Sequence, residues 1–112
     1  MGGPPGPPSL SRYERIAMSA FIVFTKEGTL DQTELDAYSA AVKASFKDRD
    51  VKFLATYGTF EMLEGPLIEG AVILEFPDFE AARDWYHSPE YQAAAKRRFV
   101  GAKYRAFIVQ GQ

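Results

Sequence analysis

Apolar residues fall into four short blocks separated by polar or glycine-containing stretches. Ala20-Phe21-Ile22-Val23-Phe24-Thr25 is a continuous run rich in β-branched and aromatic residues, which predicts a strand that Gly28 breaks. Val51-Lys52-Phe53-Leu54-Ala55-Thr56-Tyr57 predicts the second strand, with Gly58 marking a bulge or bend before a continuation over Thr59 to Leu63. Ala71 to Phe76 and Tyr104 to Val109 predict the third and fourth. Between the first two blocks, Asp31 and Glu34 form a capping-box-like start. Leu35, Tyr38, Val42 and Phe46 follow at helical spacing, so a helix is expected to end around Lys47 to Asp50. After the third block come two helical pieces. Ser88-Pro89-Glu90 separates them as an N-cap, a proline at the first helical position and an acid in the first turn.

The resulting order β-α-β-β-α-β is that of the ferredoxin-like split βαβ motif, an α+β fold with a four-stranded antiparallel sheet and helices on one face. Such sheets usually alternate apolar and polar residues. These strands do not: Val72, Leu74 and Phe76 point one way while Ala71 and Ile73 point the other, and Phe21 and Val23 oppose Ile22 and Phe24. Both faces are apolar, and the helices cover one. The other face requires a second copy, so the pattern predicts a homodimer with sheets packed face to face.

Composition narrows the function classes. With 112 residues, 46% of them hydrophobic, the chain is one globular domain. Residues 1–17, Pro/Gly-rich and then polar, read as a disordered extension, with a proline-rich docking arm as the alternative; 18–112 form the domain. A net charge of −2 lacks the basic footprint of nucleic-acid binding. No apolar run approaches the roughly 18 residues of a membrane span. The absence of cysteine removes disulfides and thiol chemistry and suits a cytoplasmic protein.

The segment Trp85-Tyr86-His87-Ser88-Pro89-Glu90-Tyr91-Gln92, with Tyr38, Leu63-Glu64-Gly65, Glu75-Phe76-Pro77, Ala81-Ala82 and Arg98, resembles the widespread bacterial family DUF1330, a domain of unknown function. Asp50-Val51 stands where family members often carry Gly-Gly. The resemblance covers nearly all of residues 20–111 and implies a dimeric α/β barrel. That superfamily includes cofactor-free monooxygenases, isomerases, haem-using enzymes and regulatory ligand-binding domains, so the fold leaves the reaction open.

The candidate chemistry is sparse. His87, the lone histidine, has the functional groups of a general base or a haem ligand, but its position between two helices equally suits an exposed linker. One histidine without clustered acids does not make an ordinary metal site, and no cofactor is expected. Tyr38, Tyr57, Trp85, Tyr86 and Tyr91 are amphipathic aromatics that either glue helices to sheet or line a ligand pocket. Arg98, on the helix face of Tyr91, suits an acidic ligand, or else a surface pair with Glu90 or Asp84. Glu75, near the end of an apolar strand, needs a partner. No phosphate loop, dinucleotide fingerprint, nucleophile elbow or zinc-protease motif is present. The reading is a small-molecule protein, either an enzyme that needs no cofactor or a non-catalytic sensor or scaffold. Its catalytic candidates are His87, Tyr91 and Arg98. Tyr38, Tyr57, Glu75, Trp85 and Tyr86 are the ligand-binding candidates. A site is expected between the helical layer and the sheet, away from the dimer seam, near the break at His87-Ser88-Pro89 that gathers Tyr86, His87 and Tyr91, with Arg98 further along the same helix and Tyr38 facing them.

Overall fold

Side-chain caps set the helix starts. The computed structural model describes residues 18–112, so the expected disorder of residues 1–17 lies outside the described part. Strand β1 (Ala20–Thr29) leads to helix α1 (Gln32–Val42), which Asp31 caps by accepting the Thr33 and Glu34 amides at 3.0 and 3.4 Å. A 3-10 turn (Lys43–Phe46) tightens the end of α1 before β2 (Lys52–Thr56) and β3 (Gly70–Phe76). Helix α2 (Phe79–Tyr86) starts at Asp78, whose carboxylate accepts the Ala81 amide at 2.7 Å. Helix α3 (Pro89–Gly101) then runs directly into β4 (Ala102–Gln110). At the α2–α3 junction one hydroxyl serves both helices: Ser88 Oγ donates to the Trp85 carbonyl at 2.8 Å and accepts the Tyr91 amide at 3.1 Å.

The strands form one antiparallel sheet in the order β2-β3-β1-β4, the ferredoxin-like arrangement. Ile22 stands opposite Leu74 and Ile108, and Phe24 opposite Val72 and Ala106. Even-numbered residues of β1 and β3 therefore face the helices, and Ala20, Ile22, Phe24, Leu74 and Phe76 are buried. Trp85, fully buried, joins α2 to the 3-10 turn: its ring lies on Phe46 and its indole N–H donates to Ser45 Oγ at 3.0 Å. The odd-numbered set, with Phe21, Val23 and Ile73, lies on the helix-free face beside Phe107 and Val109, which are 55% and 45% exposed.

Three expectations need correction. Gly28 does not break β1, which continues to Thr29 because β4 offers pairing partners up to Ala102; Glu27 is absorbed by a register shift between Lys26 and Gly28. Thr59 to Leu63 is not a strand: Tyr57 takes a left-handed conformation (φ 54°) that turns the chain off the sheet, and the segment 58–69 has no regular structure. The irregularity expected at Gly58 sits earlier in β2, between Phe53 and Ala55.

Candidate functional site

An apolar cleft of about 430 Å³ opens between α1 with its 3-10 turn and the β2–β3 side of the sheet. Phe24, Val72, Leu74 and Trp85 contribute to its lining from the sheet and α2, and Val42 and Phe46 from the α1 side. The polar tips along this apolar wall include three tyrosines, Tyr38, Tyr57 and Tyr104. Tyr57 reaches inward because Gly70 leaves room for it: a Cβ there would lie 2.6 Å from the Tyr57 ring. Its hydroxyl is hydrogen-bonded to that of Tyr104.

Behind Tyr38 lies the most unusual group of the molecule. Arg98 is only 4% exposed, and among the described residues no carboxylate stands within ion-pair distance of it. Its Nε donates to Tyr91 Oη at 3.1 Å, and Tyr91 Oη lies 3.0 Å from Tyr38 Oη. The guanidinium rests against the rings of Phe24, Phe99 and Tyr104 at 5.3, 5.0 and 5.1 Å. Ring faces attract a cation, and the attraction grows when both are desolvated. Arginine remains protonated in proteins, so this is a fixed positive charge held by π-systems and a phenol.

Burial raises the Tyr38 hydroxyl far above the ordinary phenol pKa, with the Arg98 charge opposing it. Burial also raises Tyr91, against the pull of the Arg98 charge beside it. Tyr104 is raised by burial and by its bond to Tyr57. These phenols stay protonated at neutral pH and act as hydrogen-bond donors and acceptors, not as bases.

Of the sequence candidates, Tyr38, Tyr57 and Trp85 reach the cleft, and Tyr91 and Arg98 form the layer behind it. Tyr86, half-buried, packs on Tyr91 with ring centroids 5.3 Å apart and faces a separate depression that it shares with Arg98 and Tyr104. His87 is exposed at the end of α2, beside a shallow hollow with Phe107. Glu75 lies on the helix-free face, paired in register with Phe21 and Lys52. His87 and Glu75 therefore stand apart from the tyrosine–arginine group. The break itself borders the hollow lined by Tyr86 and His87, whereas the apolar cleft that gathers Tyr38, Tyr57 and Trp85 lies on the α1–β2 side. The surface pairing of Arg98 with Glu90 or Asp84 is also corrected: its position on α3 turns it inward with Tyr91, Ala94 and Ala95. Tyr104, Phe24 and Phe53 were not among the candidates. The alternation Ala102, Tyr104, Ala106, Ile108 was the signal that could have placed Tyr104 on the helix side.

No group of three or more His, Cys, Asp or Glu able to hold a metal occurs among the described residues. No described helix is long and apolar enough to cross a membrane.

The family model for DUF1330, a domain of unknown function, matches residues 19–112. The chain belongs to the DUF1330 family. Among curated proteins none matches it significantly. Solved structures share the fold at low identity. RPA0582 from Rhodopseudomonas palustris, a protein of unknown function, is 17% identical with a TM-score of 0.67, over 92% of this chain and 95% of that one. A dimeric ferredoxin-like protein of unknown function from Thermobifida fusca is 14% identical with a TM-score of 0.58, over 85% and 92%. SnoaB, a cofactor-independent oxygenase from Streptomyces nogalater, is 12% identical with a TM-score of 0.56, over 86% and 95%. For this DUF1330 chain these likenesses establish the ferredoxin-like α+β fold.

Proposed function

We propose that this DUF1330 protein binds a small, largely apolar molecule in the cleft between α1 and the β2–β3 half of the sheet. The cleft itself carries the reading: its volume of about 430 Å³ falls within the range of small-molecule sites, and an apolar wall with a few polar tips, here hydroxyls and the Lys43 side chain, is their usual composition. Trp85, the only tryptophan, contributes to the lining, so its fluorescence reports occupancy. A titration with hydrophobic ring compounds is expected to change that emission saturably, and Val42→Trp, which fills the cleft, is expected to abolish binding while the fold persists. Native mass spectrometry of the purified protein is expected to show a co-purified metabolite.

Whether the bound molecule is turned over separates an enzyme from a sensor. The likeness in fold to a cofactor-independent oxygenase supports testing turnover without added cofactor. The protonated tyrosines and the position of His87 outside the cleft lining support the sensor reading.

We also propose that the protein is a homodimer whose seam is the helix-free face of the sheet. Phe107 and Val109 are large apolar side chains left exposed there, and the Thermobifida fusca neighbour is described as dimeric. Such a seam is expected to bury about 1,200–2,000 Å² in total.

A further inference from the structure

Arg98, Tyr91 and Tyr38 form a linear array whose hydrogen-bond direction follows from donor chemistry. The Arg98 guanidinium has no acceptor atom, so at Tyr91 it can only donate. Tyr91 is fully buried, and among the described residues its oxygen meets only Arg98 Nε and Tyr38 Oη. Its own proton finds an acceptor only if it points to Tyr38. The opposite direction would leave a buried O–H unpaired, which costs about 1–3 kcal/mol. Tyr38 therefore accepts from Tyr91, and its own proton is free to turn toward the cleft it lines.

We propose that this array, Arg98 to Tyr91 to Tyr38, is an acceptor-oxygen subsite, and that the cleft selects ring-sized apolar molecules bearing a carbonyl or carboxylate oxygen. The inference rests on the small-molecule reading of the cleft and specifies its ligand class. Three observations beyond the cleft support it. Arg98 is buried with no carboxylate within ion-pair distance among the described residues, and Glu27, on the depression beside it, pairs with Arg105, so its charge is left for something else to balance. One side of the guanidinium borders the depression that it shares with Tyr86 and Tyr104, and on the other side the two hydrogen-bonded hydroxyls carry its field toward the cleft. Burial also keeps both phenols in the donor form. An oxygen placed at Tyr38 receives a hydrogen bond strengthened by a cation two residues behind it, and a negatively charged oxygen gains most.

Three probes of nearly equal shape separate the contributions: 2-ethylnaphthalene has no acceptor, 2-acetylnaphthalene a neutral one and 2-naphthoate an anionic one. Binding is followed by Trp85 emission. The wild-type protein is expected to bind 2-acetylnaphthalene several-fold, and 2-naphthoate at least about tenfold, more tightly than 2-ethylnaphthalene. Tyr38→Phe removes the donor and is expected to bring all three affinities within about twofold. Tyr91→Phe disconnects Arg98 while leaving the Tyr38 hydroxyl, so the preference for 2-naphthoate over 2-acetylnaphthalene is expected to collapse while that for the ketone over the hydrocarbon survives. The infrared carbonyl stretch of bound 2-acetylnaphthalene gives a readout that packing alone does not move: a downshift is expected in wild type and none in Tyr38→Phe. Equal affinities for the three probes, or an unshifted carbonyl in wild type, overturn the subsite and leave the cleft standing. Failure of all three probes to bind overturns the cleft reading and the subsite with it.

Discussion

The indole of Trp85 and the ring of Phe46 lie almost parallel, with centroids 5.0 Å apart and planes 10° apart. The pair clamps the 3-10 turn to α2, and both residues line the same cleft. Packing that stabilises the domain is thus also the wall of its candidate site.

Phe46→Ala is expected to destabilise the fold by about 3 kcal/mol, the usual cost of truncating a packed aromatic, and to widen the cleft. Urea unfolding gives the stability, and the emission maximum of Trp85 is expected to shift to the red as water reaches the indole.

Gly101→Ala is expected to cost about 1–3 kcal/mol. The added methyl would lie 2.8 Å from Leu35 Cδ2 and 3.1 Å from the Leu35 backbone nitrogen, so the side chain alone cannot relieve the clash. The Gly101 carbonyl also accepts the Leu30 and Asp31 amides, which ties the end of α3 to the start of α1. A lowered urea midpoint with unchanged slope is the expected signature.

Stability is expected to be insensitive to the tyrosines through neutral pH and to fall in alkali. Burial raises Tyr38, Tyr91 and Tyr104, so the folded state keeps their protons to higher pH than the unfolded chain, where phenols titrate near pH 10. The stabilisation is fully present below about pH 10 and is lost as pH rises beyond it. Urea midpoints taken between about pH 8 and 11.5 are expected to fall more steeply for wild type than for Tyr38→Phe.

Phe107→Glu places a charge on the helix-free face, where it would be buried without a partner in a dimer. Sedimentation is expected to give a dimer for wild type and a monomer for the variant. A monomeric wild type at micromolar concentration would remove the face-to-face seam.

The apolar blocks at Ala20, Ala71 and Tyr104 led directly to strands, because buried β-branched runs leave little alternative. The Ser88-Pro89 break was equally legible, since a capping serine followed by proline has few other uses. Tyr57 was misplaced as part of a continuing strand, because a left-handed tyrosine leaves no local mark: Gly70, distant in sequence, makes room for its ring. The candidate site was legible as a set of amphipathic aromatics, and the folded chain shows which of them share the cleft. Arg98 illustrates why. The run Lys96-Arg97-Arg98 looks like a solvated helix end, and Arg97 does pair with Glu34 at the surface. One position on, the helical turn carries Arg98 into the core beside Tyr91.

The junction between α2 and α3 has the sequence of a hinge and the bonding of a weld. The amides of His87, Ser88, Tyr91 and Gln92 all donate to protein acceptors, namely the Arg83 and Trp85 carbonyls and the hydroxyl and carbonyl of Ser88. Bending there would break several of these bonds together and pull Trp85 from under the 3-10 turn. In hydrogen exchange the two helices should therefore open as a single cooperative unit, with the bend among the slowest-exchanging places in the helical layer.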